Sequence, residues 1–130
     1  MPTRMGLAKD DLILVVGHDS DCDSTLRDHI MAITGTKFLE GSTSEVVDAV
    51  IIWWREGDGD LVDELMDALT YLSESGPIWV LTPKVGREGH VEPSDIQDAA
   101  PIAGLSVTST IALAKDWTAT RLVARKAGKR

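Results

Sequence analysis

The chain has 130 residues, a formal net charge of −8 and 43% hydrophobic residues, values that fit one globular domain with a sizeable core. No apolar run approaches the roughly 20 residues that cross a bilayer. MPTRMGLAKDD lacks the apolar segment of a signal peptide, and the single cysteine excludes an internal disulfide or a cysteine-rich zinc site.

These features predict a cytoplasmic protein without a membrane role. One domain is expected over 1–130, with a short flexible tail over about 1–10 and a basic tail over about 126–130. The charge is unevenly spread. Residues 1–75 hold 16 acids and 5 bases, whereas RLVARKAGKR ends the chain with Arg121, Arg125, Lys126, Lys129 and Arg130. An acidic body repels phosphate backbones, so it is not expected to bind nucleic acid directly. The basic tail is read first as a solvated terminus.

LILVVG (12–17) is a β-branched apolar run ending in glycine and predicts a buried strand. STLRDHIMAITG (24–35) has helical spacing, with Asp23 or Ser24 as N-cap and Gly35 as the stop. TKFLEG offers a short edge strand. VDAVIIWW (47–54) is apolar on both faces, as a covered central parallel strand must be. Trp53 and Trp54 then point to opposite faces, and both are expected in the core. DLVDELMDALTYLSESG (60–76) carries the stripe Leu61, Leu65, Leu69 and Leu72, with Asp60 at its start and Gly76 after its end. PIWVLTPK (77–84) is a further apolar strand. PSDIQDAAPIAGL (93–105) predicts a helix whose last turn meets Pro101. SVTSTIAL (106–113) and TATRLVAR (118–125) form a hairpin. This alternation predicts a three-layer α/β sandwich with a mostly parallel, Rossmann-like sheet ending in an antiparallel hairpin.

From VVDAVIIWWREGDGDLVDELMDAL through PIWVLTPKVGREGHVEPSDIQDAAPIAGL to AKDW and RLVARKAGKR, the sequence closely resembles a family of small actinobacterial proteins known as a domain of unknown function (DUF3052). The likeness covers nearly the whole chain, and GHDSDCDSTLRDHI resembles the family's first strand-end segment. An aromatic residue is usual there at the place of His18, and cysteine is not usual at the place of Cys22. The resemblance implies no activity. Strand, helix, strand ending in Pro-Lys, helix, Ala-Gly-Leu and a terminal hairpin are also similar to the C-terminal half of S-adenosylmethionine-dependent methyltransferases. Those enzymes hold the cofactor with a glycine-rich turn after the first strand and an acidic residue after the second. Gly17 is one glycine where that turn has several, so the resemblance implies a reduced, non-catalytic descendant, and no cofactor is expected.

In an open α/β sheet, ligands bind outside the carboxyl ends of the strands. That edge would gather Gly17, His18, Asp19, Asp21, Asp23, Arg55, Asp58, Asp60, Lys84, Arg87 and His90 as cleft candidates. Asp19, Asp21 and Asp23 alternate like part of a calcium loop but lack its glycine and its distal glutamate, so helix-entry acids are the first reading and no metal is expected. Asp60 is read as a helix cap and Lys84 as an ion-pair partner of neighbouring aspartates. His18 and His90 are read as surface histidines. Cys22 is the redox candidate: a helix N-terminus favours its thiolate, but the nearer Asp21 and Asp23 oppose it.

Two function classes follow. The first is a non-enzymatic protein acting through an unidentified protein partner, in a regulatory role, with a homodimer as one form of such pairing. The second is a small-molecule binder or enzyme with an adenosylmethionine-like ligand in a strand-end cleft. An open pocket at that edge favours the second; a filled edge favours the first.

Overall fold

The computed structural model describes residues 11–16, 28, 30–32, 34–35, 46–57, 59–72, 76–84, 86, 89–111 and 117–124, together with the backbone of 39–40. Six strands form one sheet: β1 (Ile13–Val16), β2 (Leu39–Glu40), β3 (Ala49–Trp53), β4 (Pro77–Pro83), β5 (Leu105–Ile111) and β6 (Trp117–Ala124). Three helices accompany them: α1, helical at residues 28, 30–32 and 34, α2 (Leu61–Leu69) and α3 (Pro93–Ile102).

The sheet order is β2-β1-β3-β4-β6-β5. β1 pairs in parallel with β2 and β3, and β3 with β4. The apolar stretches 47–54 and 77–84 thus supply adjacent parallel strands, with Ile51 opposite Trp79 and Trp53 opposite Leu81. β6 runs antiparallel between β4 and β5. The start of β6 therefore lies at the carboxyl edge of the parallel strands, where Trp117 pairs with Pro83.

Side chains alternate across the sheet, and both faces are buried. On one face Leu14, Val50, Ile52, Ile78, Val80 and Leu122 pack with Leu61 and Leu65 of α2 and with Ile96, Ala99 and Ala100 of α3. On the other, Ile13, Val15, Ile51, Trp53, Trp79 and Leu81 pack with Trp117, Ala119 and Ile30 of α1. Trp54 joins the first face and Trp53 the second, as the period of two requires.

α2 ends earlier than its leucine stripe predicts. Thr70 caps it with a hydroxyl bond to the Asp67 carbonyl. The chain then extends so that the Val47 amide donates to the Tyr71 carbonyl and Leu72 bridges Val47. Leu72 thus serves the sheet side of the core, not a longer helix. Pro101 lies inside α3, near an end where few amide bonds remain to be lost. Gly104, at φ +86°, then turns the chain into β5. Edge strand β5 carries a bulge between Val107 and Ser109, and Arg121 of β6 donates to the Thr108 hydroxyl there, a device that blunts an open edge.

Candidate functional site

At the end of β3 the described residues are tied together. Arg55 follows Trp54 and turns back, and its Nη1 donates to the Trp53 carbonyl at 3.0 Å. Its guanidinium carbon lies 5.5 Å from the centre of the Trp117 ring. Trp117 in turn meets Trp53 edge-on, with centroids 4.9 Å apart and planes at 88°. From the β4 loop, the Gly89 carbonyl accepts from the Glu56 amide. A Cβ at Gly89 would stand 3.2 Å from Arg55 Cβ, so glycine lets the two loops touch. Arg55 is therefore a bracket joining β3, β6 and the loop after β4.

In the same turn Gly57 and Gly59 take φ values of +96° and +125°. Asp60 accepts from the Val62 amide at 3.0 Å and caps α2, as its position predicts.

The end of β4 is open. A cleft of about 480 Å³ lies between the start of α3 and the β4–β6–β5 part of the sheet. Its apolar wall is Pro83, Val91, Pro93 and Ile96, and its other lining residues are Thr82, Lys84, His90, Thr110, Thr118 and Thr120. The threonines arise from strand register. Thr82 lies opposite Thr118, and Thr110 opposite Thr120. All four share the face of Ile78, Val80 and Leu122, so an apolar face becomes hydroxyl-lined at the carboxyl edge. Thr82 and Thr120 are only 4% and 5% exposed, and their hydroxyls make no hydrogen bond to another described residue. Neither hydroxyl is a buried unpartnered atom, so both oxygens are accessible from the cleft. His90 Nδ1 lies 2.8 Å from the Pro83 carbonyl, which only accepts, so this nitrogen carries the hydrogen; Nε2 stands 3.6 Å from Glu92.

A second depression, of about 510 Å³, runs between α2 and α3. Leu61, Val62, Ala99 and Ile102 form its apolar part, and Asp60, Asp95 and Asp98 its rim. Ile102 is 70% exposed, and Met66 of α2 is also exposed. Neither LVDELMDAL nor PSDIQDAAPI contains a lysine or arginine.

Of the cleft candidates, Lys84 and His90 line the open cleft, Arg55 closes the neighbouring strand end, and Asp60 caps a helix at the groove. Gly17, His18, Asp19, Asp21, Asp23, Asp58 and Arg87, and the redox candidate Cys22, lie outside the described residues. No group of three or more metal-ligating side chains occurs among the described residues, and no described helix is long and apolar enough to cross a membrane. Sequence reasoning missed the threonines, although their alternation in TATRLVA was a usable signal. It also passed over Glu40, which ends β2 opposite Val15. Its place in the chain, at the end of the second strand, is that of the acidic residue in the resembled motif.

Comparison with solved structures places the fold. A putative type 11 methyltransferase from Sulfolobus solfataricus matches with a TM-score of 0.70 at 10% identity, covering 100% of this chain and 92% of that one. The mitomycin 7-O-methyltransferase MmcR matches with a TM-score of 0.65 at 12% identity over 93% of this chain. This chain spans 50% of the length of MmcR. At such identities the likeness is one of fold. In sequence, uncharacterized proteins of Mycobacterium bovis and Mycobacterium tuberculosis are 50% identical over 129 residues, 98% of this chain and 81% of theirs. The model of the family described as protein of unknown function (DUF3052) matches residues 2–126, and this chain belongs to that family.

Proposed function

We propose that this chain is a non-enzymatic cytoplasmic protein that works by binding a partner protein, on a three-layer domain related in shape to methyltransferases. The docking surface is the groove between α2 and α3, and its occupant is a basic, amphipathic segment of the partner. The observation that carries this reading is the pairing of an apolar floor and an exposed Ile102 with a carboxylate rim, on two helices that hold no base. An amphipathic helix with apolar anchors and flanking lysines or arginines complements such a groove in both shape and charge. The bracket of Arg55, Trp117 and Gly89 supports the non-enzymatic part at the β3 end, because it engages Arg55 within the protein, whereas the β4 end of the same edge is open.

The test is fluorescence anisotropy with a labelled amphipathic peptide of leucine and lysine, against the same composition scrambled. The wild type should bind the amphipathic peptide more tightly, and added salt should weaken binding. Asp95→Lys with Asp98→Lys should lower affinity about tenfold or more, equivalent to ~1.4 kcal/mol. Equal affinity for both peptides, or no effect of the charge reversal, would overturn the reading.

Two observations favour a second reading, an adenosylmethionine-like ligand: the open cleft at the end of β4 and the position of Glu40 at the end of β2. The single Gly17 opposes it, because close backbone approach to such a ligand relies on several glycines. Calorimetry with adenosylmethionine decides between them; low-micromolar affinity would favour the cofactor reading.

A further inference from the structure

The open cleft at the end of β4 is separate from the α2/α3 groove, although α3 borders both. We propose that it is a binding site for a small organic anion, whose charged oxygens meet Lys84 and whose other oxygens bond to the threonine hydroxyls.

Three features of the cleft lead to this ligand class. Thr82 and Thr120 are more than nine-tenths buried, line the cavity and lack a hydrogen-bond partner among the described residues. Valine would suit the same strand positions without a hydroxyl to satisfy. A hydroxyl both donates and accepts, so the row suits a ligand rich in oxygen.

The second feature is charge. Lys84 lines the cleft, and none of the described lining residues is acidic. α3 begins there with Pro93, and its N-cap Glu92 makes no side-chain cap bond. The positive end of the helix dipole and Lys84 therefore both border the cavity. Glu92, a described carboxylate near the cleft, stands beside His90 Nε2. The third feature is size and lining. About 480 Å³ falls in the range of small-molecule sites. The apolar wall from the start of α3 leaves room for a short carbon skeleton between the oxygens.

Carboxylates and phosphates share this chemistry, and the experiment separates them. Thermal unfolding is followed with lactate, malate, citrate and pyruvate in one arm, and with glycerol 3-phosphate and inorganic phosphate in the other. Glycerol and sodium chloride at matched ionic strength are the controls. At about 100 times its dissociation constant, a bound anion should raise Tm by about 5 °C or more. Lys84→Met should abolish that rise while leaving the Tm of the free protein nearly unchanged. Thr120→Val should leave the free protein's Tm nearly unchanged, because its hydroxyl is accessible from the cleft, yet shrink the response to the anion.

A rise in one arm alone identifies the anion as carboxylate or phosphate. The proposal is overturned if no probe in either arm shifts the wild type beyond the controls, or if Lys84→Met responds as the wild type does. None of these outcomes depends on whether a peptide binds the α2/α3 groove.

Discussion

Trp117→Ala is expected to lower the stability of the fold by about 3–5 kcal/mol, the usual cost of emptying a buried aromatic site. The ring is 1% exposed and stands edge-on to Trp53, with Arg55 above it. It also opens β6 at the place where β6 pairs with the end of β4. The substitution therefore removes the packing that joins β3, β4 and β6 at the carboxyl edge. An edge-to-face pair adds about 0.5–1.5 kcal/mol beyond its area. Urea unfolding followed by far-UV circular dichroism measures the loss. Should the alanine variant not fold, Trp117→Phe keeps a ring in place and should lose less. A loss below about 1 kcal/mol, the scale of ordinary surface changes, would contradict this packing.

Arg55→Ala should cost about 1.5–3 kcal/mol, because it breaks a charge-assisted bond to the Trp53 carbonyl and uncovers Trp117. Arg55→Met should recover part of the loss, since the apolar stem packs where the arginine stem did. Gly89→Ala attacks the same junction from the other side: its φ is +82° and its Cβ would press on Arg55 Cβ at 3.2 Å. Both variants should lower the urea midpoint. An Arg55 poised for a ligand would behave otherwise, and its removal would leave stability within about 0.5 kcal/mol.

Arg55 also marks a limit of sequence reasoning. REGDGD is visibly a strand-end loop, and the topology of parallel strands puts Arg55 at the ligand edge. Its actual partner, Trp117, comes from a strand whose place between β4 and β5 the sequence does not reveal. The central strands were legible because β3 and β4 are continuously apolar and buried throughout nearly their whole length. The Asp60 cap was legible because capping is a local bond. The end of α2 was not, since Leu72 fits the helical stripe and only the distant Val47 draws it into a bridge. Nor was the threonine row, which exists only once register sets Thr82 beside Thr118 and Thr110 beside Thr120. Asp60, Asp95 and Asp98 read singly as helix-entry acids; packing α2 against α3 makes them one rim.

Site-specific photo-crosslinking in living cells tests the central claim most directly. A photoreactive phenylalanine analogue replaces Ile102, which is exposed at the groove, or Thr108, which is exposed on the edge strand and does not line the groove. The binding account predicts a discrete adduct from position 102 and not from 108, with the crosslinked stretch of the partner rich in lysine or arginine and apolar residues. It also predicts that Asp95→Lys with Asp98→Lys removes that adduct. The same adducts from both positions, or an adduct at 102 that survives the charge reversal, would contradict the account.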